Sequence, residues 1–178
     1  FIRLISDNVN AQKWEKLLDE NLTKWEVWTG VPHRTVKNLH EGAVGVNNVM
    51  KEGEPIGLGD PMQIFKIVKD EKGKPMIHIS GEIYAGLTTL KSYKNYHLQL
   101  LFKWGEKKWE PRLNRKRDNG LLYHCYGKHG AFWNVWMRCL ELQIQEGDMG
   151  DLYALAGTKS KVRADETKHW DPTSETIM

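Results

Sequence analysis

"CLELQIQEGDMGDLY", residues 139–153, reads as a β-strand running into a Gly-containing turn. Side chains alternate across a strand, so Leu140, Leu142 and Ile144 share one face while Glu141, Gln143 and Gln145 line the other. A strand that merely meets solvent more often carries Lys, Thr or Ser on its polar face. One carboxylate flanked by two neutral amides is a different chemistry, because amides both donate and accept hydrogen bonds.

Strand signals repeat outward from this stretch. "WEVWTG", "MQIFKIV", "PMIHIS", "GLTTL", "YHLQLLFKW", "GLLYHCYG", "LYALAG" and "KSKVRA" are short runs separated by Gly, Pro, Asp and Lys. "DEKGKP", residues 70–75, is a hairpin turn by composition. Many short strands with turn signals predict an antiparallel sandwich rather than βαβ units. Only "NAQKWEKLLDE", residues 10–20, predicts a helix, with Asn10 as N-cap and Trp14, Leu17 and Leu18 on one face. Residues 30–61, rich in Gly and Pro, are read as an extended surface loop, and residues 105–120 as a basic connection between two strong strands. The tail from Ala164 onward has little regular pattern. Without repeats or an internal boundary, residues 1–178 are expected to form one domain.

Composition narrows the function classes. No apolar run approaches the ~18 residues of a membrane span, and mean hydropathy is −0.60. The opening "FIRLISDNVN" has no Met, which is read as a removed leader or a trimmed end; it is itself too short and polar for a secretory signal. A net charge of +3 does not call for a nucleic-acid partner. "EKKWEPRLNRKR" interleaves Trp109 with six Lys or Arg residues, but Glu106, Glu110 and Asp118 dilute it, and a solvated hairpin is the preferred reading. Cys125 and Cys139 lack metal-ligand spacing and are read as buried free thiols. Eight Trp and six Tyr suit a core and also stacking against sugar faces.

In "YHLQLLFKW", His97, Gln99, Leu101 and Lys103 share a face; in "GLLYHCYG", Leu122, His124 and Tyr126 do. If these strands share a sheet with residues 139–145, Lys103, His124 and Glu141 converge on one surface. Strand order and bulges decide whether they do.

Three blocks carry a likeness to a known family: "DPMQIFKIVKDEKGKPMIHISGEIYAGLTTLKSYKNYHLQLLFKWGEKKWEPR", then "RDNGLLYHC", then "WMRCLELQIQEGDMGDLYALAG". Over residues 14–165 the chain resembles the 3-keto-disaccharide hydrolase domain family. The resemblance implies an all-β, concanavalin A-like jelly-roll β-sandwich, here with one short N-terminal helix. It also implies a bacterial protein, periplasmic or secreted, that acts as a glycoside hydrolase on 3-keto-disaccharides or related glycosides. Asn119 stands where the family pattern usually has Ser, and the family's later "GEWN"-like and "VNG" strands are not found, so two expectations stand: a trimmed sandwich lacking its C-terminal strands, or last strands that have diverged beyond recognition.

A standard glycosidase uses two carboxylates. The laminarinase pattern Glu-x-Asp-x-x-Glu corresponds here to Glu141 through Glu146, with Gln143 in place of the middle acid. A 3-keto sugar permits another route. Its ketone acidifies the hydrogen on carbon 2, a base removes it, the glycosidic oxygen leaves carbon 1, and water adds to the enone. That route needs a base, an enolate stabiliser and help for the leaving group. Glu141 is the favoured base, with His124 as the other option. Lys103, or a divalent metal held by His124 and a carboxylate, would stabilise the enolate; no motif demands a cofactor. Gln143, Gln145, Asn119 and Arg117 are the expected substrate binders, with Glu82 a second carboxylate or a turn residue. Asp148 and Asp151 in "GDMGD" match a weak calcium pattern for which loop solvation is preferred. The competing readings are a non-catalytic carbohydrate-binding module and a structural domain of the bacterial envelope. Oligomeric state has no sequence signature here.

Overall fold

A computed structural model describes residues 2–6 and 14–161. Among these, eleven strands form four small antiparallel sheets and there is no helix. Among the described residues no helix is long and apolar enough to cross a membrane.

The expectation of a helix over residues 10–20 is corrected where it can be seen; residues 10–13 lie outside the described residues. Glu15–Lys16 form strand β2, paired antiparallel with Arg3 and Leu4 of β1 (Ile2–Ser6). Tertiary contacts override the helical spacing. The Leu17 carbonyl accepts the Trp25 indole N–H, and the Glu15 carboxylate pairs with Lys24 and Lys91, groups remote in sequence. Leu17 and Leu18 are both buried, and Asp19 then starts a turn by accepting from the Asn21 and Thr23 N–H groups.

β3 (Trp25–Thr29) lies between β4 (Gly57–Leu58) and β7 (Ala85–Thr89). β5 (Phe65–Lys69) and β6 (Pro75–Ile79) form the expected hairpin over the "DEKGKP" turn. There Asp70 Oδ1 accepts from the N–H groups of Lys72 and Lys74, an arrangement that Gly73 at φ +73° lets the chain close. β8 (Tyr96–Leu100) pairs with β1. The third strong sheet is a meander of β9 (Asp118–Tyr126), β10 (Arg138–Gln145) and β11 (Asp148–Leu155). "KSKVRA" forms no strand over 159–161, and its remainder lies outside the described residues.

The segment 30–61 is not the open surface loop its composition suggests. Val31, Pro32, Val36 and Val49 are buried, and His33 bridges to Val46. Val36 packs with Ile64 and Ile83 in a core cluster bordered by Leu39, Ile56, Met62 and Phe65. Its apolar residues lack periodicity because they fill gaps between sheets rather than one face of an element. The basic connection folds against its own backbone: Lys108 donates to the Arg115 carbonyl, Lys107 sits over the Trp109 ring, and the Trp109 indole N–H reaches the Ser80 carbonyl.

Candidate functional site

The polar row of β10 stands against β9 in a defined register: Glu141 opposite Leu122, Gln143 opposite Gly120 and Gln145 opposite Asp118. Directly opposed residues share a face, so Asp118 and Gly120 join the row of Glu141, Gln143 and Gln145. The row is covered at its centre, Gln143 being 7% exposed, while the other face is covered in part, Leu142 at 40% and Ile144 at 8%. The Glu141 carboxylate lies directly over Gly120, where any side chain would collide with it. The sheet thus takes a carboxylate inward only because β9 has no Cβ at that point.

Electrostatics follow from that burial. Burial pushes the Glu141 carboxyl up to about 7, and the charge of nearby Asp118 pushes the same way. Asp118 is also raised, chiefly by burial, while Arg112 and the amides of Gln145 and Gln143 pull it back. Arg112 pairs with Asp118 at 3.0 Å, and Gln143 Nε2 donates to the other Asp118 oxygen at 3.2 Å. Tyr153 of β11 stands opposite Glu141, its phenol raised by burial and then by the surrounding carboxylates. Tyr84 closes the cluster; burial raises its phenol while the Arg112 charge opposes. Three buried atoms here, the Tyr84 hydroxyl, Arg112 Nε and Gln143 Oε1, have no hydrogen-bond partner.

The remaining expected residues are placed differently. Asn119 is exposed, its side-chain oxygen accepting from the Gly120 N–H. Arg117 pairs with Glu146 at 2.9 Å and donates to the Glu106 carbonyl, so it ties β9 to the turn after β10. Glu82 lies in the turn before β7, where its N–H meets Ser80 Oγ. His124 has φ +53°, at the irregularity in β9–β10 pairing, and its ring lies beside Tyr96 and Tyr123. Lys103 is exposed beyond the end of β8, a strand that pairs with β1 rather than β9. The structure therefore brings Glu141, Gln143 and Gln145 together, and records no contact of Lys103 or His124 with Glu141.

Asp148 pairs with Lys116 at 2.8 Å. No three His, Cys, Asp or Glu side chains among the described residues stand together as metal ligands, and the rings beside His124 are those of Tyr96 and Tyr123. The described donors thus do not fit the divalent ion considered for His124.

Sequence reasoning missed Asp118, Gly120, Arg112, Tyr84 and Tyr153. Asp118 and Gly120 carried a usable signal, since they alternate with period two at the start of β9 as Glu141 and Gln143 do in β10. Arg112 and Tyr84 carried none, because a loop and a distant strand end deliver them. A second aromatic group lies elsewhere: Trp28 stacks on His129 with ring centroids 5.4 Å apart, His129 Nε2 meets Glu26 at 2.9 Å, and both rings line a cavity of about 460 Å³.

A family model described as the 3-keto-alpha-glucoside-1,2-lyase-like domain matches residues 13–173. No curated protein and no solved structure is matched.

Proposed function

Because the chain belongs to the 3-keto-alpha-glucoside-1,2-lyase-like domain family, we propose that it cleaves 3-keto glycosides by elimination, with Glu141 as the base. The observation that carries this reading is the Glu141 carboxylate lying over Gly120 and beside Asp118, raised to about 7. A base with that value is ionised in part at neutral pH and returns a proton readily, the compromise general acid–base catalysis favours. Glu141 takes the proton from carbon 2, and its electron pair delocalises onto the oxygen at carbon 3. The enolate then collapses, the bond from carbon 1 to the glycosidic oxygen breaks, and the departing alkoxide is protonated. Water adds to carbon 1 and a proton to carbon 2, giving net hydrolysis.

In this reading the Tyr153 phenol, at the strand position opposite Glu141, donates to the developing charge. Gln145 binds sugar hydroxyls, Asn119, opposite Ile144 on the other face, holds the Gly120 backbone instead, and Asp118 with Arg112 holds Gln143 in place. Lys103 and His124 assist only if substrate bridges to them; Arg117 and Glu82 take the lesser part of shaping the rim. The proposal extends to a concanavalin A-like jelly-roll arrangement of the sheets and to a periplasmic or secreted location, both drawn from family membership.

The test is incubation with matched ordinary and 3-keto disaccharides, with and without a chelator, following released monosaccharide. Release from the oxidised substrate only, abolished in Glu141→Gln, is the expected result. Full turnover by Glu141→Gln refutes the assignment. A binding module is the second reading, favoured by the Trp28–His129 stack beside its cavity; binding of both disaccharides without turnover, lost on altering Trp28, would select it.

A further inference from the structure

The chain has two cysteines, Cys125 and Cys139, and both are free thiols. They come from adjacent strands. Arg138 of β10 stands opposite Tyr126 of β9 and Leu140 opposite Tyr123, so Cys139 lies across the irregularity from His124 and Cys125. The two pairs are out of step by one residue. His124 is the extra residue, and its φ of +53° is the conformation a bulge demands.

Opposed residues of an antiparallel pair have Cα atoms about 4.5–5.5 Å apart, within the roughly 4.4–6.8 Å that a disulfide spans. The two thiols also act on each other's ionisation, as neighbouring side chains do. Cys139 is 0% exposed and lies two residues before Glu141 on the same face, while Cys125 is half-buried and open to a small reagent.

We propose that Cys125 and Cys139 form a reversible cross-strand disulfide, and that this modification alters the setting of Glu141. The coupling has two routes: the bond would pin the bulge beside Cys125 and replace the thiol nearest Glu141. It rests on the reading of Glu141 as the site's acid–base group. With a low-molecular-weight disulfide as oxidant, the Cys125 thiolate attacks one of its sulfurs and expels one thiolate. Cys139, losing its proton to solvent, then attacks the Cys125 sulfur and expels the second. Two protein thiols are oxidised and one disulfide is reduced to two thiols. The order follows from exposure and from the neighbouring thiols' mutual influence, which lowers the Cys125 thiol and raises that of Cys139.

The full chain is treated under native conditions with oxidised glutathione, and its intact mass and cysteine-bearing peptides are then measured. The expected product is a chain two hydrogens lighter, with Cys125 joined to Cys139, restored by dithiothreitol. The Glu141 carboxyl is titrated by carbon NMR in both forms, and a midpoint shift of about 0.5 pH unit or more is expected. Cys125→Ser should leave Cys139 unmodified. Stable glutathione adducts in place of the internal bond, an unreacted native chain, or a disulfide with no shift at Glu141 each overturn the proposal. Neither readout uses turnover, so a failure of the lyase reading would be seen separately.

Discussion

Replacing Gly120 with Ala isolates the feature on which the site depends. A Cβ built on Gly120 would lie 2.6 Å from Glu141 Cδ and 2.8 Å from Cγ, closer than carbon atoms approach, so the side chain must swing away. Gly120 has an ordinary strand backbone, with no positive φ, so Ala is tolerated conformationally and even restricts the unfolded chain by about 0.4–1 kcal/mol. The fold should therefore be kept, with stability above neutral pH held or raised, while the carboxylate loses its place. Released toward water, Glu141 should titrate closer to its ordinary 4.5 than to about 7. The full difference corresponds to about 3 kcal/mol at 1.36 kcal/mol per pH unit, and screening at a partly solvated position reduces the realised part to roughly half. A base displaced by about 1 Å costs on the order of 100-fold in rate. The assays are carbon-detected titration of Glu141 and turnover of a 3-keto disaccharide across pH, with thermal unfolding as control. A folded Gly120→Ala protein with a midpoint still near 7 and unchanged turnover would refute the argument that the gap over Gly120 holds the carboxylate.

Other outcomes follow from the same contacts. Glu141 has a folded value above its unfolded one, so its contribution is fully present below about 4.5 and is lost as pH rises through about 7. Glu141→Gln should therefore leave stability at pH 4 nearly unchanged and raise it at pH 8 by about 1–2 kcal/mol after screening, read by urea denaturation at the two pH values. Arg112→Met removes the cation from Asp118 and should cost about 2 kcal/mol at pH 7. Because Arg112 favours the ionised Asp118, that loss should vanish as acid protonates the carboxylate in both proteins; a pH-independent loss would mean packing alone. Thr29 is fully buried, its hydroxyl donating to the Gly59 carbonyl at 2.7 Å, so Thr29→Val should cost about 1–2 kcal/mol in the same assay.

Most strands were legible because alternation and turn chemistry are local. The "DEKGKP" hairpin appears where composition predicts it, since Asp70 and Gly73 close the turn using their own neighbourhood. The helix over residues 10–20 failed in its described part for the opposite reason: Leu17 and Glu15 are claimed by Trp25, Lys24 and Lys91, contacts that spacing does not encode. Lys103 was placed by extending an alternation past Leu100, where β8 has already ended. His124 sits at a bulge, and one extra residue reverses every facing assignment beyond it.

By itself the sequence determined an all-β chain of short strands and a β10 face bearing Glu141, Gln143 and Gln145, because side-chain alternation is a property of the backbone alone. Only the tertiary structure decided that this face turns inward, since covering a face is the work of other sheets and loops. Only it supplied Asp118 as the charge beside Glu141 and Gly120 as the gap beneath it, because cross-strand register pairs residues more than twenty positions apart. The unusual ionisation of Glu141 belongs to that second class: it arises from desolvation, which no residue possesses until the chain around it has folded.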